Sequence, residues 1–396
     1  MIKTLKTVFS QKTHEGTTER LLQYAFSYFF LYVITGYLAK YFAKTLGMGG
    51  NTYTVYNTIG GMLICNVVVL AWGWYKFKST DRVNFLGMNM PREFFYIIPS
   101  GICTAVIIPT TTLMYVLPIS IMVAMIIMRA SVIIISRVID TIQIKQGVLK
   151  KTVYWEENVA VVFALVAVSI KMIYVKPGDF DFIHNAAAMT ILGAYLTAYS
   201  IRIYIFNYYK NTRKKDAVYD TKGFFAVEQI ASSLALLIAG AIFFYSIDLA
   251  TADPKTFGFQ FKDSLVNAPA LWKEGIMSGL PFGAAAFFSV FLFMFKGRTA
   301  TFAGLVNRVT SLVAGTVATL VVWWLIAGQK EPAREDWFGL AAIFVAIYFM
   351  SRAEQKRSCE LAKAHEIEPE KGSEAEAACA PGDGAAIAKA AAKEQN

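Results

Sequence analysis

Ten long apolar runs, separated by short charged stretches, constrain this chain more than any other feature. About 20 apolar residues in a helix cross the ~30 Å hydrocarbon core of a bilayer. The runs fall at about 21–38, 56–75, 94–117, 119–135 and 159–174, then 187–206, 224–245, 276–295, 302–325 and 337–350. Only 17% of the 396 residues are charged, against about 25% in soluble domains. The sequence therefore predicts an all-α polytopic membrane protein with about ten transmembrane helices. The run at 21–38 is too long for a signal peptide and lacks a small-residue cleavage pattern, so it is read as the first span.

The net charge of +10 does not point to nucleic acid, because the basic residues cluster at the ends of the apolar runs. The N-terminus, every second loop and the start of the tail carry 22 Lys and Arg; the remaining loops carry 9. The positive-inside rule then places both termini in the cytoplasm, as an even number of spans requires. The four cysteines (Cys65, Cys103, Cys359 and Cys379) have the spacing of neither a disulfide framework nor a zinc site. No cofactor is expected. The stretch 246–270 reads as a solvated loop. Residues 353–396, rich in Glu, Ala, Lys and Gly, read as a disordered cytoplasmic tail.

The spans also suggest a duplication. The fourth places Arg129 deep in an apolar run with Ser131 two residues on, and the ninth does the same with Arg308 and Thr310. Upstream lie the pairs Ser100-Gly101 and Ser278-Gly279. The Ser-Gly pairs are 178 residues apart and the arginines 179. Such a constant offset indicates a five-plus-five repeat. An odd number of spans per unit inverts the two halves, an architecture that recurs in transporters with a midplane binding site. The expected layout is an N-terminal segment at 1–18, a first five-helix repeat at 19–175, a second at 185–352, and the tail.

Four basic residues fall inside spans: Arg129, Lys171, Arg202 and Arg308. Lys171 and Arg202 lie near span ends and can snorkel to the interface. Arg129 lies 11 residues past Pro118 and Arg308 ten past Arg298, each about 15 Å into the membrane from opposite faces. An arginine at that depth costs at least about 2.5–3.5 kcal/mol on insertion scales, so it should face a polar cavity or a partner. The sole acid deep in a span is Glu228, which could neutralise one arginine and leave the other for an anion. Asn307, beside Arg308, and Gln229, beside Glu228, are further candidates to line a site, although such residues also serve as glue between helices. Tyr195 and Tyr199 share one helix face near mid-membrane and, with Glu228, complete the candidate substrate-binding set.

This layout resembles the drug/metabolite transporter superfamily, the EamA-like and nucleotide-sugar or triose-phosphate carriers, over roughly residues 18–352. Gly304-Leu-Val-Asn307-Arg308, preceded by Thr299-Ala-Thr301 and followed by Gly315, resembles the Gly-Ala-Leu-Asn-Lys motif of the nucleotide-sugar branch. Phe225-Ala-Val-Glu228-Gln229 falls where that branch carries Phe-Tyr-Asn-Asn, with Glu-Gln in place of Asn-Asn. The resemblance implies that Asn307 and Arg308 contact the sugar-phosphate part of a substrate.

The expected function is alternating-access transport of a small organic metabolite, anionic such as a sugar phosphate or nucleotide sugar, with exchange as one mode. The alternative within the family is an EamA-type exporter of amino acids, amines or drugs, with the arginines structural. A membrane-embedded transferase is the third reading. It would need clustered acids or histidines at a membrane face, and His14, His184 and His365 all lie outside the spans; no catalytic residue and no enzyme activity are expected. The expected partners are the metabolite and the lipid bilayer, with a homodimer open. A bacterial inner membrane and a eukaryotic organelle membrane both fit.

Overall fold

The computed structural model describes residues 18–85, 87–148, 154–173, 180–212, 220–293, 295, 300–326, 328–329 and 331–365. The chain is helical almost throughout. Its helices are α1 (Thr18–Lys44), α2 (Gly50–Ala71), α3 (Phe94–Val116), α4 (Ile121–Lys145), α5 (Trp155–Ile173), α6 (Ala186–Asn211), α7 (Thr221–Ser246), α8 (Phe257–Val266), α9 (Trp272–Phe293), α10 (Ala300–Leu325) and α11 (Arg334–His365). Among the described residues, nine of these are long and apolar enough to cross a membrane. The protein is a multi-pass membrane protein. The tenth long helix, α5, has 19 residues and carries Glu156 and Glu157 in its first turn.

Three features depart from the sequence reading. A two-stranded antiparallel hairpin, β1 (Arg82–Phe85) and β2 (Met88–Pro91), interrupts the all-α pattern between α2 and α3. It turns at Gly87, whose φ of 80° suits glycine. The 246–270 stretch is no plain loop: it contains α8, started by Thr256, whose side chain accepts from Phe259 N. The helix of the last span runs on to His365, thirteen residues into the expected tail; residues 366–396 lie outside the described residues.

The very short α3–α4 connection follows from local chemistry. Leu117 takes an extended ψ of 153° because the residue before a proline is pushed out of the helical region. Ser120 then caps α4, accepting from Val123 N at 3.1 Å. Lys40 on α1 ties the connection down: its ammonium donates to the carbonyls of Leu117 and Ile119, both at 2.6 Å. The Leu117 carbonyl also accepts from Ile119 N at 2.8 Å, so the lysine adds a second bond to the turn that closes α3.

Helix packing is set by small residues. A Cβ on Gly279 of α9 would sit 2.1 Å from the Asn57 carbonyl oxygen of α2, and one on Gly60 only 1.8 Å from that of Ile276. A Cβ on Gly101 of α3 would lie 2.6 Å from the Glu228 carbonyl oxygen of α7. Backbones this close need glycine, because lipid supplies no hydrophobic drive and association rests on close packing. The glycines of the two Ser-Gly pairs therefore have a concrete role, one at each of two tight crossings. Gly279→Val is expected to force α2 and α9 apart, costing about 1–3 kcal/mol or more. Thermal unfolding in detergent should show it, with Gly193→Val, which meets open space, as the neutral control. Equal melting of the two variants would refute this account.

Candidate functional site

Two cavities among the described residues bear on the site. The larger, about 610 Å³, opens at the Lys44 end of α1, between α1, α4, α10 and α11. Its buried cation, Lys40, is already committed to two carbonyls. The smaller, about 60 Å³, lies in the middle of the bundle and is reached by side chains from α1, α3, α4, α6, α7 and α9. Polar groups without partners gather around this second one, and it is the candidate site.

Arg129 of α4 lies on its wall, 4% exposed. One terminal nitrogen, Nη2, donates to Tyr32 OH at 2.9 Å and to Tyr28 OH at 3.3 Å. The guanidinium carbon stands 5.7 Å from the Tyr32 ring centre, a cation–π contact. Nε is buried without a partner, and among the described residues no carboxylate bonds to Arg129. A full positive charge thus sits in a low-dielectric interior with only two phenols to solvate it, which is costly unless a ligand completes the set.

Tyr28 and Tyr32 project from α1 with ring centres 4.8 Å apart. Tyr195 and Tyr199 project from α6 with theirs 5.2 Å apart. All four line the cavity. The hydroxyls of Tyr195 and Tyr199 make no hydrogen bond among the described residues, and Gln229 Nε2, also on the wall, is buried and unpartnered. The site therefore offers spare donors around one unpaired cation.

Arg202 is the correction to the sequence reading. It does not snorkel: it is 7% exposed, lies on the same wall, and binds Glu228 in a bidentate pair, Nε to Oε1 at 2.8 Å and Nη2 to Oε2 at 2.9 Å. Ser100 Oγ and Thr104 Oγ1 donate to the same carboxylate at 2.5 and 3.2 Å. The guanidinium carbon also lies 4.7 Å from the Phe206 ring centre. Glu228 is fully buried one layer behind the wall, its charge spent on Arg202. The acid that sequence left to neutralise a midplane arginine is bound to the arginine assigned to the interface.

Arg308 and Asn307 lie off the cavity wall. Helices α4 and α10 cross antiparallel, with Met122 N donating to Thr319 Oγ1 at 2.8 Å near one end and Arg308 Nη2 donating to Ser136 Oγ near the other. Ser136 is seven residues along α4 from Arg129, about 10 Å, so the two arginines are staggered in depth rather than level. Arg308 Nε has no partner. Asn307 Nδ2 donates to Ser289 Oγ at 3.0 Å, which places Asn307 one hydrogen bond behind the wall, since Ser289 lines it.

Of the residues singled out in the sequence, Arg129, Tyr195, Tyr199 and Gln229 come together at the cavity. Tyr28 and Tyr32 were missed. The available signal was their spacing: each precedes its α6 counterpart, Tyr195 or Tyr199, by 167 residues. Among the described residues no three of His, Cys, Asp and Glu converge as a metal site would require.

No family model matches the chain, and no curated protein matches it. One solved structure, described only as "Crystal structure of protein", superposes with a TM-score of 0.48 at 12% identity, covering 86% of this chain and 99% of that one.

Proposed function

We propose that this protein is a secondary transporter of alternating-access type, of the kind found in the drug/metabolite transporter superfamily, and that it carries a small organic anion held at Arg129. The observation that carries this reading is the unpaired Arg129 guanidinium on the wall of a central cavity, with Tyr195, Tyr199 and Gln229 supplying uncommitted donors beside it. Guanidinium and phenol donors suit a carboxylate or another oxyanion.

The pattern of helix contacts supports an inverted five-plus-five repeat. Pairing α1–α5 in order with α6, α7, α9, α10 and α11 carries each major contact onto another. The α2–α9 contact corresponds to α7–α3, α1–α10 to α6–α4, and α1–α9 to α6–α3, while α5–α11 maps onto itself. The Ser-Gly pairs and the tyrosine pairs obey the same pairing. Such a frame suits rocking of one half against the other around a central site. With both termini on the cytoplasmic side, the 610 Å³ cavity faces outward and forms a vestibule above the site. A cationic cargo is disfavoured, because the nearest acid, Glu228, is bound to Arg202 by two hydrogen bonds.

Counterflow in proteoliposomes tests the reading. Vesicles preloaded with organic anions should accumulate the matching labelled anion, and vesicles preloaded with amines should not. Accumulation of amines alone would overturn it.

A further inference from the structure

We propose that the transported ligand is an amphipathic monoanion, an oxyanion head on an apolar body, rather than a sugar phosphate. The inference rests on the anion reading above and names the class of ligand. The wall of the central cavity carries two guanidinium groups and one carboxylate stands behind it; Arg202 and Glu228 cancel, which leaves Arg129 and one positive charge. Arg308 is a second guanidinium without a carboxylate partner among the described residues, but it lies off this wall and is bonded to Ser136, seven residues along α4 from Arg129. A single uncompensated cation on the wall matches one negative charge in contact with it, and a dianionic phosphate would bring a second charge that no further guanidinium on this wall meets.

Polarity is unevenly distributed around the cavity. The spare donors cluster at Arg129, Tyr195, Tyr199 and Gln229. Much of the remaining wall is Ile107, Ile108, Phe282, Ala285 and Ala286. The wall threonines are already occupied: Thr111 Oγ1 donates to the Ile107 carbonyl at 2.7 Å, and Thr104 Oγ1 to the Ser100 carbonyl at 3.0 Å and to Glu228. Ser289 already accepts from Asn307. Several sugar hydroxyls placed against this side would lose water and find only the Ser289 hydroxyl and the lone pairs of Thr104 and Thr111 as partners, a penalty that a hydrocarbon body avoids. The volume of about 60 Å³ also favours a short chain over a nucleotide sugar.

Equilibrium binding to the full chain in lipid nanodiscs, with empty nanodiscs as the blank, tests this with straight-chain alkanesulfonates from one to six carbons, which stay charged and do not cross bilayers as neutral acids. Affinity should rise about fourfold per added methylene until the cavity is filled. Gluconate and glucose 6-phosphate should bind more weakly than butanesulfonate. Phe282→Leu and Ala285→Ser should each weaken hexanesulfonate binding several-fold and leave methanesulfonate within about twofold, since only the longer chain reaches those residues. A flat chain-length series, or tighter binding of either sugar acid, overturns the amphipathic ligand while the anion reading stands. If no anion binds, or if Arg129→Ala changes nothing across the series, both fall together.

Discussion

Arg129→Ala sharply weakens saturable anion transport while the protein folds at least as well as wild type. Loss of a charge-assisted contact to a buried oxyanion is worth about 1.5–3 kcal/mol, so the apparent KM should rise roughly 10- to 150-fold. The stability expectation runs opposite to intuition. Removing one member of a buried ion pair is destabilising, but Arg129 has no acidic partner among the described residues, and its Nε is unsatisfied. Deleting it removes an unpaired buried charge, and the Tyr28 and Tyr32 hydroxyls lose only an incoming donor. Melting of the detergent-solubilised variant should therefore be unchanged or raised. Arg129→Lys keeps the charge but loses the planar fork, and should fall between. Retained transport in Arg129→Ala would make the arginine structural and return the protein to the general-exporter reading.

Glu228→Ala has the reverse profile. It strands Arg202 as a buried cation with no partner, and it orphans the Ser100 hydroxyl donor, while Thr104 keeps its bond to the Ser100 carbonyl. Breaking a buried pair from one side costs about 3–5 kcal/mol, enough to lose the folded peak in size-exclusion chromatography. The double variant Arg202→Leu/Glu228→Leu removes both charges, so it should recover much of that stability. Transport tests the pair separately: if Arg202 is held for structure, the recovered double variant still moves anions. A Glu228→Ala protein that melts like wild type would show that the pair contributes little to holding α6 against α7.

Gly101 and Gly279 show how far the sequence could be read. Their constant offset was visible as a repeat, and the glycine at each is required by a backbone approach that no larger residue allows. Arg202 shows where reading stopped. Counted from a span end it looks free to snorkel, and only the crossing of α6 with α3 and the approach of α7 bring Glu228 to it. Tyr28 and Tyr32 were lost among many tyrosines because a tyrosine at a membrane interface and one at a central cavity look alike in one dimension. The helix α8 was missed because its ten residues carry a loop-like mixture of polar and aromatic side chains.

The sequence by itself determined that the chain lives in a membrane, how many long helices it makes, and which residues are too costly to leave without a reason. These follow from length and transfer free energy, which are properties of single segments. The tertiary structure alone decided which cation is paired with a carboxylate and which, among the described residues, is not. That depends on which helix faces cross, at what depth and in what register, and one residue of rotation along α6 turns Arg202 by about 100°, away from Glu228.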